Sequence, residues 1–587
     1  MANTSTTNSE AKVKRAGTGG WVRTRFGTEA LPRFLFWPVL AVIVIAAGAL
    51  ELASAVQETQ TWDEGIHISA GYAYLTRGDF RWNQEHPPLA KLVAALPLLP
   101  LRLELPLHEP SWKKLDETQM GIDFLYHNGA PADTILMTAR GSVMLLSLLF
   151  LIAVAWLVRR RFGSVAALLT AALCAFDPNL IAHARYVTTD YPVMAFYFLA
   201  ALLWMEYLLD GRTRDLLLAA LAFGLALVTK FSALLLVPAL IVLFAIRWRQ
   251  APDKFSGRRA LTAAAALIGI VLLLVTVLYW PETVRAWSGE LPRLASVVKR
   301  GNPIGETLYR AGKWFRLPAH PFLTGLSQVA SHNQSGHANY LLGMRSEKGW
   351  WYYFPVVFAV KSTLTALIAT LGLVAAALWV LSRRTRLSFV WCAILLPPAI
   401  YFAISMTSAI NIGMRHILPV YPFLYLAVAV LLTQAGARPW PRYAMFSLAL
   451  LQIAECAWIA PNYLAFFNVL SGGPGNGPHY LVDSNIDWGQ DVKKLKKWLA
   501  AHGTDTARVW YFGNASMDYY GIRAEPFPDP LDEKGWNAIR GYAVASVTVL
   551  RGVYVPLNLV APLRLRKPVA KVGWSLYVYD FGNGAGN

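Results

Sequence analysis

The stretch Phe34–Val56 reads FLFWPVLAVIVIAAGALELASAV. Helix crossing the hydrocarbon core of a bilayer needs roughly 20 apolar residues, and this run supplies them. It is too long, and begins too far into the chain, for the apolar core of a cleavable leader. It predicts an uncleaved first span. Comparable runs recur at 134–158, 163–183, 188–209, 214–230, 231–247, 260–280, 352–381, 387–406, 415–434 and 441–460. Together they predict an all-α polytopic membrane protein of about eleven transmembrane helices. Composition agrees, because 55% of the 587 residues are hydrophobic and only 15% are charged. Cys174, Cys392 and Cys456 all fall inside apolar runs and read as small core residues rather than a metal site or disulfide framework.

The net charge of +19 does not point to nucleic acid, because Lys and Arg gather in short loops between spans. Arg159–Arg161, Arg212 and Arg214, Arg247–Arg259, Arg383–Arg386, and Arg438 and Arg442 all fall on the side of the basic tail 1–33. That asymmetry predicts a cytosolic N-terminus in the plasma (inner) membrane, with membrane lipids as partners. The other side then receives the loops 57–133 and 281–351 and the tail 461–587. The core domain is read as 34–460. In the tail, Gly472–Pro478 reads as a linker, and a lysine-rich helix at 488–502 precedes strand-like runs at 508–512, 542–550 and 575–579. This predicts a small C-terminal α/β domain on the extracytoplasmic side.

Chemistry concentrates in the outer loops. Asp63 and Glu64, just past the first span, are placed to act as general base on a hydroxyl, and an Asp there also suits a helix N-cap. Glu85-His86-Pro87-Pro88-Leu89-Ala90-Lys91 puts an acid, an imidazole and a lysine around a rigid turn. Taken alone, the same residues read first as a helix start, since Pro favours the first helical turn. Asp190, in Thr188-Thr189-Asp190-Tyr191-Pro192, is a second acid or a second cap. Arg140, Arg185, Lys230, Lys361, Arg415 and His416 are cations at or near membrane depth, where an unpaired charge is expensive. A lipid phosphate matches them in charge and hydrogen-bond geometry. The polar loop 331–343 offers Glu85 and His86 company from His332, Asn333, His337 and Tyr340, a set suited to a sugar ring. The His332 and His337 spacing is a weak metal pattern. Asp483–Asp491 lacks the sixth-position Gly and distal Glu of a calcium loop, leaving N-capping.

Taken together, Asp63-Glu64, His86-Pro87-Pro88-Leu89-Ala90-Lys91 and Thr189-Asp190 resemble family 39 glycosyltransferases. That group includes dolichyl-phosphate-mannose–protein mannosyltransferases and bacterial enzymes that place aminoarabinose on lipid A. The segments 331–343, 349–361, 411–422 and 483–491 resemble those of bacterial members. The resemblance implies a GT-C fold and an inverting transfer of a hexose or pentose from a polyprenyl-phosphate donor to a lipid, glycan or protein hydroxyl. It implies Asp63 as catalytic carboxylate, Glu64 as its neighbour and Asp190 as the second acid. Lys230, Arg415 and His416, with Lys361, Arg185 and Lys91, would meet the donor phosphate. No cofactor is expected, although a divalent metal would be compatible. The competing reading is a transporter or flippase for an anionic or lipid-linked substrate, which also uses intramembrane charge.

Overall fold

The computed structural model describes residues 32–288, 303, 306, 320–385, 387–435, 439–529 and 531–582. The basic tail before residue 32, the middle of the expected loop 281–351 (289–302, 304–305 and 307–319), and Arg386 and Arg438 lie outside the described residues.

Helix occupies each of the eleven predicted positions, but in a different arrangement. Among the described residues six helices are long and apolar enough to cross a membrane: Phe34–Ala55, Ala132–Phe162, Asp190–Asp210, Phe231–Gln250, Gly257–Leu278 and Leu364–Ser382. A seventh span results if Ser164–Ala175 and Pro178–Ala184, bent by 70°, count as one. The bend has a sequence cause. Asp177 accepts hydrogen bonds from the Asn179 and Leu180 amides, and Pro178 opens the new helix. The predicted span 352–381 is similarly two helices, Tyr353–Lys361 and Leu364–Ser382. Thr363 caps the second through the Ala366 amide at 3.1 Å. Phe389–Ser405, Val420–Gln434 and Thr213–Leu227 are shorter than a full crossing, at 17, 15 and 15 residues. Irregular backbone at such breaks is tolerated where it is enclosed by protein.

Asp190–Asp210 shows how charge divides between the two ends of the bundle. Its 21 residues span about 30 Å at 1.5 Å per residue. At its C-terminal end Arg161 pairs with Glu206 at 2.7 Å and Asp210 at 3.2 Å, and Arg160 approaches Asp215 at 3.9 Å. At its N-terminal end sits Asp190, with Lys230 and Arg415. Basic loops and candidate chemistry are thus at opposite ends.

Beyond the helices, residues 506–580 form a five-stranded sheet in the order Arg523–Glu525, Thr506–Trp510, Tyr542–Ser546, Leu576–Asp580, Ala570–Val572. The first three strands run parallel and the last two pair antiparallel. Helix Val492–Ala501 lays Val492, Leu495 and Leu499 onto this sheet's core. Two tail expectations change. Gly472–Pro478 is not a free linker but a packed turn: a Cβ on Gly477 would lie 2.5 Å from the Phe467 ring. Two of the helix's lysines are not solvated either, since Lys493 pairs with Asp133 and Lys494 with Asp491, at 2.8 and 2.7 Å.

Candidate active site

Asp63 ends the run 57–63 and opens the helix Glu64–Arg77. Backbone bonds to the C-terminal region fix its approach. The Thr59 and Trp62 amides donate to the Gln490 and Trp488 carbonyls, both at 2.9 Å. Asn514 Nδ2 in turn donates to the Trp62 carbonyl at 3.0 Å. The Asp63 carboxylate, 22% exposed, accepts from Arg415 Nη1 at 2.7 Å. The same Nη1 lies 3.6 Å from Asp190 Oδ2, and Lys230 Nζ donates to Asp190 Oδ1 at 2.5 Å. Four charges from four distant segments therefore meet in one cluster. Arg415 rests on the Trp488 ring at 4.3 Å, and His416 stacks on Phe354. Asp190 Oδ2, Arg415 Nε and His86 Nδ1 are buried without a hydrogen-bond partner. Such orphaned polar atoms beside a charge cluster suit a polar ligand.

Arg415 is placed by side chains of the 483–485 turn that bind the backbone on either side of Gly413. The Met414 amide donates to Asn485 Oδ1 at 3.0 Å, and Ser484 Oγ donates to the Ile412 carbonyl at 2.6 Å. Asp483 on that turn accepts from Tyr554 OH at 3.0 Å. From Tyr554 a polar chain continues through His337 at 3.3 Å and His332 at 3.4 Å to Glu85 at 3.0 Å. Burial pushes the Asp483 carboxyl up to about 6 despite nearby Arg415. The hydrogen bond to Glu85 raises His332, whereas burial and then His332 itself lower His337.

Several residues expected at the site are spent on holding it together. Glu64 is fully enclosed: Arg140 Nε and Nη2 bind its two oxygens at 2.8 and 2.7 Å, and the Thr61 and Val187 amides complete them. Arg185 is buried against Glu58, which also accepts from Tyr186 OH at 2.8 Å. Lys361 donates to the Leu464 and Asn485 carbonyls at 2.9 and 2.6 Å. Lys91 staples its own loop through Tyr74 OH and the Asn83 and His86 carbonyls at 3.0, 2.5 and 2.7 Å. In each case an internal acceptor replaces the phosphate expected from the sequence. Asn333 Oδ1 is taken up by Ser408 Oγ and the Ala409 amide. Tyr340 is 5% exposed and donates to the Pro478 carbonyl at 3.0 Å, so its ring is closed to a sugar. His86 packs edge-on against His67. Among the described residues no group of three His, Cys, Asp or Glu could hold a metal ion.

Sequence reading missed Asp483, Trp488 and Tyr554. The first two lay in a turn whose acids read as caps, and Tyr554 stood in no motif. A surplus of acids at Glu51, Glu58, Asp63 and Glu64 was the available hint that several buried cations have internal partners.

Residues 136–280 match the family model described as dolichyl-phosphate-mannose-protein mannosyltransferase. The chain is similar to that family there. This is the group the motifs resemble, and the matched stretch holds Asp190 and Lys230 but not Asp63 or Arg415. Among curated proteins none matches the chain. Two similar solved structures are ArnT from Cupriavidus metallidurans bound to undecaprenyl phosphate and the Archaeoglobus fulgidus oligosaccharyltransferase in the apo form. The first is 14% identical, covering 92% of this chain and 97% of that one, with a TM-score of 0.43. The second is 12% identical, covering 91% and 73%, with a TM-score of 0.46.

Proposed function

We propose that this chain is an integral-membrane glycosyltransferase that moves a sugar from a polyprenyl-phosphate donor to an acceptor hydroxyl with inversion. The observation that carries the reading is the Asp63–Arg415–Asp190–Lys230 cluster at the end of the bundle away from the basic loops. A sugar phosphodiester already has a good leaving group. What it needs is a base for the acceptor and fixed positive charge for the departing phosphate. Asp63 is the base. Arg415 and Lys230, with His416 beside them, take the phosphate, and Asp190 holds both cations in place. Donor binding competes with Asp63 for Arg415 and so frees the carboxylate for its task. The acceptor oxygen bonds to the anomeric carbon as the carbon–phosphate oxygen bond breaks. The acceptor proton passes to Asp63, and the lipid phosphate leaves with one more negative charge. One displacement needs no covalent sugar–enzyme intermediate, unlike retaining hydrolysis.

The sugar is a hexose or pentose, and the acceptor a lipid, glycan or protein hydroxyl. The N-terminus faces the cytosol and the cluster faces outward from the plasma membrane. The chain divides into tail, membrane core (34–460) and C-terminal domain (461–587). The test is mass spectrometry of lipid copurifying with the protein. A polyprenyl phosphate or its glycosylated form is expected, much reduced in Arg415→Ala. Accumulation of labelled glycolipid across proteoliposomes without any transfer product would replace this reading with transport.

A further inference from the structure

The C-terminal region presents two exposed tyrosines, Tyr519 and Tyr554, and the second lies beside the charge cluster's own polar chain. Tyr554 is 45% exposed. One face stacks on Phe512, with centroids 5.1 Å apart and planes 8° apart, and Phe512 stacks in turn on Trp62 at 5.0 Å and 19°. Trp62 precedes Asp63 in the chain. The phenol oxygen is fixed between Asp483 and His337. The ring is therefore held at both its face and its edge, and little freedom remains to be lost on binding.

Tyr554 also lines an open hollow of about 570 Å³ with Arg345, Pro556 and Asn558. That volume falls within the range of small-molecule sites. Arg345 Nη1 donates to the Gly552 carbonyl, which anchors a guanidinium at the rim. A pyranose has an apolar C–H face that lies flat on an aromatic ring, and hydroxyls around its edge that need donors and acceptors. An exposed, preset tyrosine beside an asparagine suits that shape. The anchored guanidinium suits a carboxylate or phosphate on the same sugar. A peptide acceptor would instead look for an unpaired strand edge or an apolar groove.

We infer that Tyr554, Asn558 and Arg345 form an acceptor subsite for an anionic saccharide, leading along the Tyr554–Phe512–Trp62 stack to Asp63. The inference rests on the glycosyl-transfer reading and names the acceptor class of that site. Tyr554 takes the role the sequence suggested for Tyr340, whose ring is buried. The saccharide docks on the C-terminal domain, two ring spacings from Trp62, the residue before Asp63, and its reacting hydroxyl extends from there toward the charge cluster.

The experiment uses the full-length protein in detergent on an immobilised panel. The panel carries neutral, uronate-bearing and phosphorylated oligosaccharides, with serine- and threonine-rich peptides beside them. The wild type should bind the anionic oligosaccharides. Tyr554→Ala should weaken that binding at least about tenfold, the scale of a buried contact residue. Tyr554→Phe should keep most of it, and Arg345→Ala should erase the preference for anionic over neutral sugars. Melting curves show whether Tyr554→Ala is folded; if it is not, Asn558→Ala and Arg345→Ala decide. Binding of no oligosaccharide, binding of peptides only, or unchanged saccharide binding in the folded variants overturns the subsite. Asp63→Asn separates the two readings, since it should bind the panel like the wild type but transfer sugar about 10²–10⁴-fold more slowly. If Asp63→Asn transfers sugar normally, the glycosyl-transfer reading fails even where saccharides bind.

Discussion

Arg140 and Glu64 show what a charge inside this protein is for. Both side chains are wholly buried, and every oxygen of the carboxylate is occupied. Removing one member leaves the other charged, enclosed and unpaired, at a cost of about 3–5 kcal/mol. Arg140→Met should therefore lower the melting temperature of the purified protein sharply, whereas a phosphate-binding role would leave it unchanged. From the sequence, Arg140, Arg185 and Lys361 could be seen to need partners, but not which ones. Arg185 and Glu58 are 127 residues apart, and Asp63 and Arg415 are 352 apart. No local spacing encodes such pairs, so phosphate stood in for partners that only the fold supplies. Asp63, Asp190, Lys230 and Arg415 were legible because their neighbouring motifs and membrane-edge positions made charge conspicuous.

Asp487, in the C-terminal region, gives a pH signature at the same scale. It is buried, its Oδ2 accepts from the Thr548 amide at 2.9 Å, and burial raises its carboxyl to about 7. Thr548 and Ser546 bond to it, while Asp483 adds like charge. The folded state then holds its proton more tightly than the unfolded chain, whose carboxyl titrates near 3.8. Stability from this group is fully present below about 4 and falls as pH rises through about 7. Asp487→Asn keeps an acceptor for Thr548 and removes the titration. Its melting temperature relative to wild type should therefore rise steadily between pH 5 and 8. A difference that does not vary with pH would contradict the burial argument.

At the scale of elements, short breaks do the positioning. The turn before Arg415 passes so close to the Asp483–Asn485 turn that a Cβ on Gly413 would lie 2.5 Å from Ser484 Oγ. Ser484 and Asn485 are the residues that hold Ile412 and Met414. Gly413→Ala should push the two turns apart and shift Arg415. A displacement of about 1 Å at such a site costs on the order of 10²-fold in rate. Transfer assays in membranes should show that loss with protein levels near wild type. The helices themselves were readable as apolar runs. Their interruptions at Asp177-Pro178 and Ser362-Thr363 were not, because a capping residue inside an apolar run breaks a helix only when tertiary packing can accept the new end. The strands Arg523–Glu525 and Ala570–Val572 were missed for a related reason: three residues at a sheet edge carry too little alternation to read.

Across the whole molecule, the loop after the first helix, the membrane helices and the C-terminal region all meet around one charge cluster. Asp63 comes from the loop, Asp190 and Lys230 from helix ends, and Arg415 from the turn before Val420–Gln434. The backbone at Gln490 and Trp488 pins the loop's approach. This explains why a soluble-looking domain is attached to a helical bundle: it is one wall of the site rather than an appendage. The most direct measurement is sugar transfer by Asp63→Asn in membranes, followed alongside its melting curve and its copurifying lipid. General-base catalysis is worth about 10²–10⁴-fold, so transfer should fall by that much while folding and lipid retention persist. Wild-type turnover by that variant would contradict the account.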